Sequence, residues 1–318
     1  MDYFRTKSVI ELSKLHDMAF ASTSKATKTT FLQSMKRIEK IYDRPLNVIK
    51  LSFIDNTDEF LEKLEESKYS KNTQLTTLTN ILKLLKIIDA PLITYNKWLT
   101  ILKDKTEERS KNDKVVLKKK LKVIMDWLDI KSMVYKEASK YIDSESMDME
   151  EYRDFMILAL FTIQIPARVS NYVGMRVVDS DEYITDNNNF LVVNEEDYKF
   201  IFNKYRTSHI LGQKILFITE NTLQYIIDKW LVKYNKDSNN FLIISDKNKR
   251  SMNGKQIEQS VENASTAIFG SPLTVDNLRA SYMKRIADLD PDFQDKLDIA
   301  QILGYSSSDV INNHKTDE

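Results

Sequence analysis

Residues 151–172 read EYRDFMILALFTIQIPARVSNY. The first thirteen of these are almost continuously apolar, which predicts a buried helix. Pro166 lacks a backbone N–H and biases its predecessor away from helical backbone, so the helix ends before it. Arg168 follows directly, an arginine placed just after a buried helix. Downstream the pattern changes. FLVV at 190–193, the alternating YKFIFNKYR at 198–206 and KILFIT at 214–219 are strand candidates, with Gly212 in the turn between the last two. A helix is expected over 221–236 through Leu223, Ile226, Ile227, Trp230 and Tyr234. FLIIS at 241–245 fits a short strand or the tail of a loop. Helices at about 255–269, 274–287 and 292–303 follow.

Upstream the reading is simpler. All five glycines lie in the C-terminal half, so the N-terminal half reads as nearly uninterrupted helix punctuated by Pro45 and Pro91. Thr27 to Thr30 can cap a helix carrying Phe31, Met35, Ile38 and Ile41 on one face. Residues 57–66 form a short amphipathic helix through Phe60, Leu61 and Leu64. Thr73 can cap the next, with Leu75, Leu78, Leu82, Leu85 and Ile88 spaced by three and four. Another helical stretch carries Trp98, Leu99, Leu102, Val115, Leu117, Leu121, Ile124 and Trp127, and 128–148 reads as a crossing region. The expected fold class is mostly α with a small antiparallel sheet. Its parts are an all-helical N-terminal domain at 20–105, a helical connection at 106–148 and an α+β domain at 149–318.

Composition excludes several function classes. At 318 residues the chain can bury two ordinary cores. Hydrophobic residues at 42% beside 30% charged exclude wholesale disorder. No apolar run approaches the roughly 18 residues that span a bilayer. The opening stretch MDYFRTKSVIELSKLHD is amphipathic and acid-containing, unlike a secretory signal or transit peptide. With no cysteine there is no disulfide framework, thiolate metal site or thiol nucleophile. His16, His209 and His314 are too scattered to suggest a zinc centre. The expectation is an intracellular protein with no membrane partner, metal or cofactor. Net charge is zero, which argues mildly against nucleic-acid binding, although local clustering counts for more than the total. The densest basic run is Lys111, Lys114, Lys118, Lys119, Lys120 and Lys122, which by itself reads as a solvated helix face.

Three segments stand out when taken together: Ile165-Pro166-Ala167-Arg168-Val169-Ser170-Asn171-Tyr172, then Thr274-Val275-Asp276-Asn277-Leu278-Arg279-Ala280-Ser281-Tyr282, then Leu303-Gly304-Tyr305-Ser306. In this order and spacing they resemble the motifs of the tyrosine recombinases, the phage-type integrases, and most of all the integrases of large DNA viruses and related mobile elements. Low glycine with high Lys, Asn and Ile also fits an AT-rich genome such as those viruses carry, and a viral source would place the protein in the nucleus or a viral factory. The resemblance covers about residues 20–318. It implies a helical core-binding domain that closes on duplex DNA opposite the catalytic domain, and copies assembling on that DNA.

The resemblance also assigns roles. A phosphodiester under attack builds negative charge on its non-bridging oxygens, and two guanidinium forks suit those oxygens. Arg168 and Arg279 match the two family arginines. Arg206, within Tyr205-Arg206-Thr207, stands where relatives carry a lysine as general acid; guanidinium stabilises charge but donates a proton poorly. Asp276 stands where many members have histidine or lysine. Tyr305 replaces the histidine of the glycine-histidine-serine motif. Nine residues on, where the nucleophilic tyrosine belongs, the chain has His314. Three readings stay open. One is a DNA-binding recombinase-family protein with impaired strand cleavage. Another is an active recombinase using His314 or Tyr305 as an atypical nucleophile. The last is a recombinase-derived protein-interaction scaffold that does not bind DNA.

Overall fold

The computed structural model describes residues 17, 25–46, 51–185, 187–194, 198–235, 240–245, 249–305, 307 and 309–315, with 26, 112–123, 309 and 310 described through their backbone only. Outside this set lie nearly all of the amphipathic opening stretch, Ser306, and the side chains of Val115, Leu117, Leu121 and the basic run beyond Lys111. The chain divides into two compact units, Met1–Val115 and Val116–Glu318. Among the described residues no helix is long and apolar enough to cross a membrane.

The first unit is helical. Helix α1 (Lys25–Tyr42) buries Phe31, Met35 and Ile38 as their spacing predicts. Thr27 to Thr30, the expected cap, lie inside it, and Thr29 Oγ1 donates back to Lys25 O at 2.9 Å. Helix α2 (Thr57–Glu66) has the expected bounds. Helix α3 (Lys71–Ile87) is capped by Ser70, whose hydroxyl accepts from Thr73 N at 3.3 Å, so Thr73 belongs to the first turn and is not the cap. Helix α4 (Leu92–Val123) is one continuous stretch. Phe53, Phe60 and Trp98 meet edge-on or tilted at the centre, and Trp98 Nε1 donates to Ile54 O at 3.1 Å. Tilted and edge contacts set the negative ring face against a positive edge, and the indole N–H is satisfied where it is buried.

In the second unit, α5 (Trp127–Asp143) occupies most of the expected crossing region as an ordinary helix, its N-cap Asp126 accepting from Leu128 N. Asp148 likewise caps α6 (Met149–Thr162), accepting from Glu150 N and Glu151 N at 2.8 and 3.3 Å. Every residue from Tyr152 to Thr162 is buried, as the apolar run requires. The one-turn helix α7 (Val169–Tyr172) follows Arg168. Strands β1 (Arg176–Val178), β2 (Phe190–Val193), β3 (Tyr198–Phe202) and β4 (Lys214–Phe217) form one sheet in that order. The three expected strands pair antiparallel, and β1 adds a parallel edge through Arg176↔Phe190. The fold class is therefore mostly helical with a small sheet, here a mixed one.

Strand β3 stops at Phe202, four residues short of the alternating stretch. The cause is Asn189: its Oδ1 accepts from Asn203 N and Lys204 N at 2.9 and 2.7 Å, turning away the donors that a longer strand would pair. The 241–245 stretch makes only isolated bridges, through Phe241 and Ile244. The remaining elements are the short α8 (Ser208–Leu211), α9 (Asn221–Lys229) running into a π turn at Trp230–Tyr234, α10 (Gly254–Phe269), α11 (Val275–Leu289), α12 (Phe293–Ile302) and α13 (Asp309–Asn312). Helix α10 packs along α6, behind a capping box between Asn253 and Gln256.

Candidate functional site

The three motifs meet through the ends of α6, α11 and α12. Pro166 ends the buried helix and Arg168 becomes the N-cap residue of α7, with extended backbone. Thr274 caps α11 by accepting from Asn277 N, which sets the phase of that helix. In that phase Val275 and Leu278 enter the core, Ser281 Oγ donates to Met125 O at 2.8 Å, and Tyr282 lies edge-on to Trp127. The serine and tyrosine of this motif are therefore structural. Arg279 is 2% exposed. It donates to Pro166 O and Leu303 O, both at 2.7 Å, and so ties the ends of α6 and α12 to α11.

Helix α12 ends in a Schellman motif. Gly304 N donates to Gln301 O at 2.9 Å and Tyr305 N to Ala300 O at 2.8 Å, with Gly304 at φ +81°. The turn projects Tyr305 back over both arginines, its ring centroid 5.0 Å from Arg168 Cζ and 5.6 Å from Arg279 Cζ. Arg168 Nε is buried with no hydrogen-bond partner among the described residues. Burial is the main influence lowering the Arg168 pKa; repulsion from Arg279 and Arg206 adds to it, while Tyr305 and Asp276 oppose it. Two guanidiniums side by side, one with an unused buried donor, make a site that gains from an anion.

A pocket of about 370 Å³ opens beside them, lined by both arginines, Ser170, Thr274, Asp276, Glu258 and Glu262 among others. Asp276 is exposed at this pocket. Arg206 is exposed in the turn after β3, close enough that its charge is felt at Arg168. His314 sits elsewhere in character: it is 6% exposed, and its N–H closes the last turn of α13 onto Ile311 O. The structure thus brings Arg168, Arg279 and Tyr305 into contact, sets Asp276 and Arg206 around them, and buries His314.

Sequence reasoning passed over several residues that shape the site. Asn189 Nδ2 donates to Asn171 O and Lys204 O while its Oδ1 holds the turn before Arg206, so one side chain links the Arg206 turn to α7. An asparagine directly ahead of the FLVV strand was the only visible signal. Glu258 and Glu262, one helical turn apart on α10, face the arginines, a spacing readable only once the partner helix is known. Lys214, the first residue of β4, donates to Gln301 O and lies 4.8 Å from the Tyr205 ring centroid. Burial pulls its pKa down to about 8. An NMR titration of the lysine side chains is expected to show one midpoint near 8 that disappears in Lys214→Met. Because the folded value lies below the ordinary one of 10.5, the native state binds fewer protons between about 8 and 10.5. This group therefore makes stability rise with pH across that window.

No protein-family model matches this sequence, and no curated protein sequence does. Solved structures do. The chain is similar to XerH site-specific recombinase bound to palindromic difH substrate in a post-cleavage complex, at 10% identity, over 96% of this chain and 91% of that one, with a TM-score of 0.56. The pre-cleavage complex of XerH with difH gives 11% identity, 98% and 92% coverage and a TM-score of 0.50. At such identity the likeness concerns the fold alone, a helical N-terminal region followed by an α+β region, which the chain has in common with XerH.

Proposed function

We propose that the chain binds double-stranded DNA and serves DNA recombination or integration, with its own strand-cleavage chemistry impaired. The observation that carries this reading is the buried, unpartnered Nε of Arg168 beside Arg279. Such a donor is costly to leave unmade, and a phosphate oxygen would satisfy it once the guanidinium turns from Gly304 toward the pocket. Arg168 and Arg279 would hold a backbone phosphate, Arg206 would add positive charge from its turn, and Tyr305 would order both guanidiniums by stacking on them. Lys214 would carry a proton that it can release near neutral pH. The helical region at 20–105 would supply a second DNA-contacting surface, and copies would assemble on the DNA. XerH, solved with its DNA, supports the reading through shared fold. The nearer relation to integrases of large DNA viruses and mobile elements rests on the sequence context of Arg279.

The nucleophile position supports the impaired reading. A nucleophile must reach phosphorus, and the His314 side chain is buried. On a pool of nicked random duplexes, the protein is expected to form no denaturant-stable covalent adduct under conditions where it binds. An adduct mapped to Tyr305 or His314 by mass spectrometry would instead establish an active recombinase with an atypical nucleophile.

The scaffold reading is favoured by one observation. Glu258, Glu262 and Asp276 line the same pocket as the arginines and compete with phosphate for them. It predicts that DNA binding is absent even at low salt.

A further inference from the structure

The pocket beside the arginine pair is not purely basic, and the phase of α10 is the reason. That helix begins against α7: a Cβ added to Gly254 would stand 3.6 Å from Cγ1 of Val169, the residue after Arg168. Positions four and eight further on share this face, which sets Glu258 and Glu262 along the pocket that Arg168 lines. Ile257, Val261 and Ala264 bury the core side of the helix, so packing fixes the placement. Asp276, in the first turn of α11, adds a third carboxylate. None of the three forms an ion pair among the described residues, although the charge of Asp276 is felt at Arg168. Two guanidinium charges against three carboxylate charges leave the lining one unit negative.

We infer that Glu258 and Glu262 decide which phosphate the arginines accept: the singly charged diester, and not the doubly charged monoester of a strand end or a free nucleotide. The inference rests on the phosphate reading above and concerns its selectivity. Two arginines alone would favour the monoester, because its second charge doubles the attraction. With three unpaired carboxylates around the same space, that second charge is repelled about as strongly as it is attracted. The larger hydration that the monoester gives up then tips the balance to the diester. A diester spreads one charge over two non-bridging oxygens, which suits a guanidinium fork and offers the glutamates little to oppose. Asp276 adds to the same field but also occupies the first turn of α11, so the two glutamates are the pair that can be changed alone.

Two probes that differ by one charge test this: thymidine 5′-phosphate and its methyl ester. At about pH 7.5 the first carries nearly two negative charges, its second pKa being about 6, and the second carries one. Their affinities for the full chain are read at constant ionic strength from the arginine Nε–H signals in NMR titrations. The unaltered protein is expected to bind the methyl ester at least about threefold more tightly than the monoester. In Glu258→Gln/Glu262→Gln, with circular dichroism confirming the fold, the order is expected to reverse, the monoester gaining about tenfold or more. A monoester preferred by the unaltered protein, or a preference that the double substitution leaves unchanged, would overturn the inference. Duplex binding measured on the same samples keeps two failures apart. Duplex bound while neither ester binds up to about 20 mM overturns the inference alone. Loss of duplex binding as well would take the phosphate reading with it.

Discussion

Arg279→Ala is expected to lower the melting temperature by roughly 6–12 °C and to abolish detectable DNA binding. The guanidinium is 2% exposed and is the only described link that bonds both the Pro166 and Leu303 carbonyls. Hydrogen bonds to a charged donor contribute about 1.5–3 kcal/mol each, and a buried carbonyl left without a donor bears its desolvation cost. A net loss of about 3 kcal/mol follows, and for a domain of this size each kcal/mol moves the midpoint by about 2–4 °C. Arg279→Lys should recover less than half of the loss, since a single ammonium lacks the planar fork that serves two divergent carbonyls. Calorimetry with near-ultraviolet circular dichroism reads the result. A shift below about 2 °C would mean that Arg279 does not hold the three helix ends together. Binding lost while stability is kept would make it a ligand contact alone.

Gly304→Ala should strike the site from the other side. Gly304 sits at φ +81°, where a side chain costs about 1–2 kcal/mol, and an added Cβ would stand 2.8 Å from Arg168 Nε and 3.3 Å from its Cδ. Arg168 must therefore move, and with it the donor on which the proposed phosphate contact depends. Gly270→Ala is the internal control, with φ +73° and no atom within 4 Å of the added Cβ. Both variants should lose comparable stability. Only Gly304→Ala should weaken DNA affinity, by about tenfold or more, the equivalent of about 1.4 kcal/mol. Equal effects on affinity would mean that the close approach of Gly304 to Arg168 has no bearing on binding.

Much of this was legible in the residues, for identifiable reasons. The buried helix at 149–162 announced itself because an apolar run without a polar face has only one place to go. The helix expected over about 274–287 is α11, Val275–Leu289, although which way Arg279 points on it was not readable. The illegible parts depend on partners distant in sequence. Strand β3 ends early because Asn189 takes its next donors. The parallel edge strand β1 is three residues long and borrows its register from β2. The environment of Lys214 is set by Gln301, 87 positions away, and its lowered pKa by burial that no local pattern reports. The stack of Tyr305 on two arginines needs the Schellman turn at Gly304, and the ring's target was invisible.

The central claim is that Arg168 and Arg279 form a phosphate site for DNA. It is tested most directly by the affinity of the protein for random-sequence duplex as a function of salt, measured in parallel for Arg168→Ala. A working site predicts micromolar or tighter binding at low salt, with log K falling steeply in log salt. The Arg168→Ala slope should be shallower by about one, the signature of one lost phosphate contact. No binding at low salt, or identical slopes for the two proteins, would contradict the account and turn attention to a protein partner on the same fold.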